Sequence, residues 1–282
     1  MKLKLLSLFL FTATLYASNE ITIDSLFQKQ KGFRSITNID FLSSQATRSF
    51  SLYPVIHSYD DGVAIQQTKT LSLTETFLYA YSAKIDLIGS VSLLHQNRDI
   101  FTEKIVSKSD SELSQVWLGL KYAFDTKIYD FKQSLTLQTS LFEKGHYQGA
   151  SNTNNLKSFN LRYTTIAYLD PVVLTLSFES IQNLSKEIGK KTVDFPNIYS
   201  FGLDANIVLN PKLSLSINFL ESYQSSMKED GKKVNPSTIL SQIGFGVSYN
   251  LNSHNALILS TSTGTSAVAP DSRLSVSLWH KF

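Results

Sequence analysis

The chain has 282 residues, no cysteine, and 26 Lys plus Arg against 23 Asp plus Glu. The lack of cysteine excludes disulfides and thiol chemistry, and the near balance of charge leaves no basic surface for nucleic acid. Mean hydropathy is -0.06, which is too polar for a helical membrane protein. No run beyond the N-terminus approaches the roughly 20 apolar residues of a spanning helix.

The first residues predict an export signal. Lys2 and Lys4 precede an apolar run that reaches Phe11, and Ala17 stands before a polar stretch. A basic start, a short apolar centre and a small residue at the cleavage point are typical of a secretory signal peptide. We therefore expect residues 1–17 to be removed on export and, because no cysteine follows, no lipid anchor. Residues 18–32 are expected to form a short segment outside the main domain, either a periplasmic helix or a small plug.

Residues 33–282 alternate between apolar and small polar side chains. Successive side chains of a strand point to opposite faces, so this period of two gives each strand one apolar face, whereas a helix would scatter the same residues. Segment 113–124 shows the pattern, with Val116 and Leu118 on one face and Gln115 and Lys121 on the other. The segments are separated by breaks that alternate between short (81–84, 125–130, 170–171, 210–212 and 252–255) and long (43–62, 102–110, 143–155, 185–196, 227–237 and 264–271).

The alternation of short and long breaks predicts an all-β fold, a transmembrane antiparallel up-and-down β-barrel with short periplasmic turns and longer external loops. Residues 33–282 give about 12 strands, with both termini periplasmic. Aromatic residues such as Tyr79 at the short turns and Tyr223 toward the long breaks match the two belts of membrane interfaces. A soluble β-sandwich would also alternate, but it does not account for the export signal and the regular breaks.

One residue departs from the pattern. On a regular strand Glu75 lies on the same face as Leu73 and Phe77, so its carboxylate points at lipid, at a cost of up to a few kcal/mol near mid-bilayer and less near the interface. A β-bulge between Leu73 and Phe77 would instead turn the side chain inward. Both arrangements remain open at this point.

The last nine residues form an amphipathic strand that ends on an aromatic residue. This ending resembles the closing strand of bacterial outer-membrane β-barrels, in which a terminal Phe and alternating apolar positions serve as the assembly signal. The resemblance implies a location in the cell outer membrane and the barrel-assembly machinery as a partner. The residues that carry the signal are Leu274, Val276, Leu278 and Phe282.

Inward-facing charges are expected to line the barrel interior among Ser, Thr, Asn, Gln and Gly. Such a wall holds water and creates a transverse field, which favours a narrow pore; the alternative is that the charges pair and fill the interior. We expect Arg162 to pair with Glu179 or Asp204 across neighbouring strands. Parity, that is, the odd or even position of a residue along its strand, assigns each side chain to one face. By parity the pore-lining charges are Asp86, Lys121, Lys132, Arg162, Glu179 and Asp204. The candidates for a constriction loop, within the long break 43–62, are Tyr53, Tyr59 and Asp60.

No residue pattern indicates a catalytic or metal site. The five histidines lack the spacing of metal ligands on one element, and the Asp-Asp-Gly at 60–62 is more typical of a turn than of a calcium loop. His95 has Ser90 and Ser92 nearby in sequence, but a hydrolase needs a Ser hydrogen-bonded to the His and a third group that orients it. The neighbourhood of His95 matches no outer-membrane hydrolase motif. We expect no catalytic residue, no metal and no cofactor.

Short motifs resemble one family of such barrels. Residues 77–89, Phe-Leu-Tyr-Ala-Tyr-Ser-Ala-Lys-Ile-Asp-Leu-Ile-Gly, resemble a strand–turn–strand signature of the transporters of the meta-pathway of phenol degradation. Residues 116–122, Val-Trp-Leu-Gly-Leu-Lys-Tyr, and the ending 270–282 resemble the same group. The resemblance implies uptake of small compounds, including aromatic ones, across an outer membrane.

The sequence therefore predicts a monomeric outer-membrane channel for passive uptake of small solutes, surrounded by outer-membrane lipid. The aromatic or hydrophobic character of the solute rests on the resemblance alone, and no nucleic-acid partner is expected. Two alternatives remain open: a non-conducting surface barrel that acts as an adhesin or antigen, and an outer-membrane lipid hydrolase.

Overall fold

The computed structural model describes residues 32–45, 65–101, 105–125, 131–147, 150–266 and 270–282. The predicted signal peptide and all of the predicted segment 18–32 except residue 32 lie outside these ranges. In the described part of the chain, no helix is long and apolar enough to cross a membrane. In chain order the strands are β1 (Phe33–Gln45), β2 (Ile65–Ala80), β3 (Ile85–Phe101), β4 (Ile105–Phe124), β5 (Phe131–Tyr147), β6 (Ala150–Asn154), β7 (Ser158–Leu169), β8 (Val172–Asn183), β9 (Lys186–Ile188), β10 (Lys191–Asp194), β11 (Ile198–Asn210), β12 (Leu213–Gln224), β13 (Met227–Glu229), β14 (Lys232–Asn235), β15 (Thr238–Asn250), β16 (Asn255–Gly264) and β17 (Ser272–Lys281).

Twelve of these strands close into a barrel. Around the ring the order is β1, β2, β3, β4, β5, β7, β8, β11, β12, β15, β16 and β17, and neighbouring strands are antiparallel. The ring closes because β17 pairs with β1, from Arg34 opposite Lys281 to Ser43 opposite Ser272. The predicted twelve-stranded up-and-down barrel is therefore confirmed. We call the end with the turns at 81–84, 170–171, 211–212 and 251–254 the short-turn end, and the opposite end the long-loop end.

The wall has an apolar outer face and a polar inner face. On β12, Leu215 and Ile217 lie opposite Val247 and Phe245 of β15, and all four are exposed. The alternate residues of the same ladder are small and polar, as where Ser216 lies opposite a glycine. An exposed apolar exterior is the reverse of a soluble protein, and it fits a surface that lipid covers.

Two aromatic belts flank this apolar band. Tyr79 and Tyr249 are exposed at the short-turn end, and Tyr199 and Tyr223 are exposed toward the long-loop end. The rings of Tyr199 and Tyr223 lie on adjacent strands with centroids 6.3 Å apart. Aromatic rings at both levels agree with the predicted membrane interfaces.

Cysteine substitutions can test which face of the wall meets lipid, since the natural chain has no cysteine to give a background. We expect Leu137→Cys and Leu215→Cys to react with lipophilic thiol reagents, because both side chains are exposed on the outer face. Their neighbours Thr136→Cys and Ser216→Cys should react with aqueous reagents from the lumen. The measurement is labelling of the protein in liposomes. The opposite labelling pattern would place the apolar face inside and contradict a membrane barrel.

Glu75 points to the outer face. The β1–β2 ladder has no register shift, and Thr37 lies directly opposite Glu75. The Thr37 hydroxyl donates to Glu75 Oε2 at 2.6 Å. The alternative in which a bulge turns Glu75 inward is therefore wrong, and a local hydroxyl offsets part of the cost of its position.

β-Bulges are present elsewhere, on both edges of β4. One lies between Ser92 and Leu93 on β3, and it leaves Ser114 as the extra residue of β4, whose hydroxyl donates to the Ser92 carbonyl at 3.1 Å. The other lies between Val116 and Trp117, where β4 pairs with β5. Bulges increase local twist and re-aim side chains, and here they keep Trp117 on the inner face.

A second small sheet stands at the long-loop end. Its order is β14, β13, β10 and β9, so the breaks predicted as long polar loops at 185–196 and 227–237 are paired hairpins. The sheet packs on the extension of β5 through a separate hydrophobic core, which comprises Tyr147, Ile188, Val193, Phe195 and Met227. The predicted break 102–110 also differs, because β3 and β4 continue their pairing as far as Phe101 and Ile105.

The C-terminal residue lies at the seam where the ring closes. The Phe282 backbone N–H donates to the Phe33 carbonyl at 3.1 Å, and the two rings have centroids 5.2 Å apart. The ring of His280 is edge-on to Phe282 at 4.3 Å. Leu274 and Leu278 are exposed on the same outer face. This geometry places the predicted assembly signal on the lipid side, and its role in assembly stays a prediction.

Candidate functional site

The lumen contains a cavity of about 800 Å³. It is lined by inward-facing residues of β1, β2, β3, β4, β5, β7 and β17, so it occupies one side of the barrel interior. Ser, Thr, Asn and Gln side chains make up much of this wall, together with charged and apolar residues. A wall of this kind can hold water along a path through the barrel.

Two ion pairs cross the luminal wall near β1. Arg34 Nη2 donates to Asp86 Oδ2 at 3.1 Å, spanning β2, and the Asp86 side chain is almost fully buried. Arg273 of β17 lies 2.6 Å from Asp40 Oδ1 on β1. Arg34, Asp40 and Arg273 were not among the predicted pore residues, although their alternation with apolar neighbours already places them on the inner face.

Arg162 forms the ion pair that the sequence predicts. It lies directly opposite Glu179 on β8, and its Nη2 donates to Glu179 Oε1 at 2.7 Å. Asn160 donates to the same oxygen at 2.9 Å. Asp204, the alternative partner, alternates with outward-facing Leu203 on β11 and lies within electrostatic reach of Arg162. Glu179 is therefore the direct partner.

Two lysines extend the positive charge of the cavity wall. Lys121 and Lys132 line the cavity on β4 and β5. Lys121 lies opposite Asp86 in the ladder, but the Asp86 carboxylate is paired with Arg34. Lys132 lies over the Tyr168 ring at 4.8 Å. Among the described residues, neither lysine has an ion-pair partner, so this part of the lumen carries excess positive charge.

Apolar side chains also line the cavity, and they include both tryptophans of the chain, Trp279 on β17 and Trp117 on β4. Trp279 of β17 lies opposite Ile36 of β1, and Leu78 of β2 lies opposite Ile88 of β3. Trp117 is 2% exposed, and its indole N–H donates to a glutamine side chain at 3.0 Å. Tryptophan in a membrane barrel is expected in the interfacial belts. Parity alone was sufficient to place both rings inside, because Trp117 alternates with Leu118 and Trp279 with Leu278.

Some of the predicted site residues lie at the cavity, and others fall outside the described residues. Asp86, Lys121, Lys132 and Arg162 line the cavity, and Glu179 is paired with Arg162 from the neighbouring strand β8. The candidates for a constriction loop, Tyr53, Tyr59 and Asp60, lie outside the described residues. Within the described ranges no group of three or more His, Cys, Asp or Glu residues is arranged to hold a metal ion.

His95 lies on the outer face, apart from the two serines nearest to it in sequence. Ser90 and Ser92 line the cavity, whereas His95 Nδ1 is 2.6 Å from the hydroxyl of Ser111 on the neighbouring β4. In the part of the chain that the structure describes, no carboxylate contacts His95. The pair therefore lacks the third group that would orient a catalytic imidazole.

The small outer sheet contains a pH-sensitive contact. Hydrogen bonds from Lys191 and then from Tyr147 hold the pKa of Glu229 below its ordinary value of 4.5. A lowered carboxyl pKa stabilises the folded state above pH 4.5, and this contribution disappears as the pH falls through the lowered pKa. We expect the hydrogen-exchange protection of residues 227–235 to fall as the pH drops below this ordinary value, with a smaller change in Glu229→Gln. Equal loss of protection in both proteins would contradict this contact.

Comparison with known proteins identifies the fold and nothing narrower. No protein-family model matches the chain, and no curated protein matches its sequence. Among solved structures, an outer membrane channel from Pseudomonas putida F1 is similar with a TM-score of 0.66 and 11% identity, covering 91% of this chain and 98% of that one. The translocator domain of autotransporter NalP from Neisseria meningitidis gives 0.54 and 10%, covering 92% of each chain. The CymD monoaromatic hydrocarbon channel gives a TM-score of 0.50 and 10% identity, covering 94% of each chain. At these identities the shared feature is the outer-membrane β-barrel fold.

Proposed function

We propose that this protein is an outer-membrane channel for the passive uptake of small solutes. The observation that carries the proposal is a polar, charged cavity of about 800 Å³ inside a closed barrel whose exterior is apolar. An apolar exterior holds the barrel in lipid, and a hydrated interior gives polar solutes a path that lipid does not. Under this proposal the pore-lining charges are those predicted from parity, with Arg162 and Glu179 as a central pair.

The structural comparisons support this proposal. One of the similar solved structures is an outer membrane channel, at a TM-score of 0.66. Similarity to the CymD monoaromatic hydrocarbon channel, at 0.50, supports aromatic or hydrophobic compounds as one class of solute. The resemblance of residues 77–89 and 116–122 to the phenol-pathway transporters supports the same class. We also propose that the barrel resides in the outer membrane without enzymatic activity.

Liposome swelling tests the proposal with a matched pair of variants. Thr74 lines the cavity, and its neighbour Leu73 is exposed on the outer face. A tryptophan at position 74 narrows the lumen, whereas one at position 73 enlarges only the lipid-facing surface. We expect wild-type protein and Leu73→Trp to pass small sugars, and Thr74→Trp to pass them more slowly. Absence of swelling with folded wild-type barrel would favour the non-conducting adhesin or antigen.

A further inference from the structure

Five cavity residues lie at one level near the short-turn end. Trp279, Ile36 and Leu78 lie on β17, β1 and β2, and Lys121 and Lys132 lie on β4 and β5. Each of the five is within three residues of the end of its strand at the short turns. They therefore form a single belt around the inner wall rather than a column along it.

The apolar and the cationic residues of this belt face each other. In the ring of twelve strands, β17 and β5 are five strands apart, and six would be directly opposite. Trp279 and Lys132 thus stand on nearly opposite walls of one continuous cavity. Between them, on one side, come Ile36, Leu78 and then Lys121, so the wall changes from apolar to cationic across the lumen.

Among the described residues, no carboxylate forms an ion pair with the two lysines of the belt. Arg34 and Asp125 are at the same level, but Arg34 is paired with Asp86 and Asp125 with Lys84. Lys121 and Lys132 have no carboxylate partner in the described ranges, and Lys132 is exposed to the lumen. An ammonium group without a carboxylate partner favours an anionic ligand, because charge-assisted hydrogen bonds to a carboxylate are stronger than neutral ones.

The apolar side of the belt offers a firm surface to a ligand. Trp279, Ile36 and Leu78 are partly exposed to the cavity. Ile88 of β3 lies opposite Leu78, is only 7% exposed and restricts the side chain beside it. A large aromatic ring such as that of Trp279 binds a flat apolar group by offset or edge-on contact.

We infer that this belt binds small carboxylates with an apolar body, with the body on Trp279, Ile36 and Leu78 and the carboxylate on Lys121 and Lys132. The inference rests on the proposed channel function and specifies the solute class. A volume of about 800 Å³ accommodates a one-ring carboxylate together with water, and it falls within the roughly 300–1,000 Å³ of small-molecule sites.

Intrinsic fluorescence provides a direct binding assay. The chain has two tryptophans, and both line this cavity, so their emission reports on the lumen. We would titrate the refolded barrel with benzoate, with benzyl alcohol as the uncharged analogue and with acetate as the anion without an apolar body. We expect saturable binding of benzoate, and at least about tenfold weaker binding of the other two probes.

Variants separate the two halves of the site. Lys121→Gln combined with Lys132→Gln is expected to weaken benzoate binding by about tenfold or more, and Trp279→Leu should weaken it while leaving acetate unchanged. Lys212→Gln, in an exposed turn at the same end of the barrel, is the matched control and should bind as the wild type does. Equal affinity of wild type for benzoate and benzyl alcohol would overturn the inference, as would unaltered benzoate binding in the lysine double variant.

The assay also distinguishes this inference from the channel proposal. Binding is measured without any flux, so a barrel that binds benzoate but passes no solute would contradict the channel and leave the site in place. A barrel that passes sugars but shows no saturable benzoate binding would contradict the site and leave the channel in place. In a conducting barrel, benzoate should also reduce the current more in wild type than in the lysine double variant.

Discussion

Replacing Arg162 with alanine is expected to make the pore more permeable to cations while the barrel stays assembled. The guanidinium neutralises Glu179 directly and lies within electrostatic reach of Asp204. Its removal leaves two inward carboxylates without their cation. Two unit charges about 4 Å apart interact with about 1 kcal/mol in water and about 4 kcal/mol near a protein surface. A change in the cation-to-anion permeability ratio of about tenfold is therefore expected.

The reversal potential in a salt gradient measures this ratio, and Arg162→Lys is the matched control. Lysine keeps the positive charge but loses the planar donor group, so the ratio should stay near the wild-type value. An unchanged ratio and unchanged conductance in Arg162→Ala, with wild type conducting, would remove Arg162, Glu179 and Asp204 from the permeation path.

Replacing Lys186 with methionine is expected to loosen the outer sheet. Lys186 Nζ lies 2.8 Å from Glu143 Oε2, and both side chains are nearly buried. The same nitrogen donates to the Ser158 hydroxyl at 3.1 Å. Removing one partner of a buried ion pair typically costs about 3–5 kcal/mol, because the other charge is left without compensation. Hydrogen exchange in residues 186–194 should therefore accelerate by about two to four powers of ten.

Two further variants make this prediction specific. Lys190→Met removes an exposed lysine from the turn of the same hairpin and should have little effect. Combining Lys186→Met with Glu143→Leu removes both charges, and most of the protection should return, since replacing both partners by apolar groups is often nearly neutral. Equal acceleration in Lys186→Met and Lys190→Met would show that the buried pair does not hold the sheet.

The barrel itself could be predicted because one rule governs almost every wall residue. Each side chain faces either lipid or lumen, so parity assigned the faces of Leu215, Ser216 and Arg162 before the strand register was known. Parity also placed Glu75 on the outside, but a bulge could have reversed it. The structure has bulges beside Ser92 and Val116 and none beside Glu75, and nothing in local sequence distinguishes these sites.

The outer sheet and the detailed site were harder to predict, because they depend on contacts between distant segments. The hairpins β9–β10 and β13–β14 are short and rich in charge, so they read as loops, although Ile188 and Val193 were an apolar signal within them. Pairing of β10 with β13 joins residues 34 to 36 positions apart in the chain. In the lumen, parity identified which charges point inward, but the pairing of Arg34 with Asp86 across β2 required the three-dimensional arrangement.

Conductance of the purified wild-type barrel in a planar bilayer tests the central claim most directly. The hydrated, charged lumen predicts discrete current steps from folded protein, and it predicts smaller steps from Thr74→Trp than from Leu73→Trp. Folded barrel that inserts into the bilayer without any conductance, under either polarity, would contradict the account of this protein as a channel.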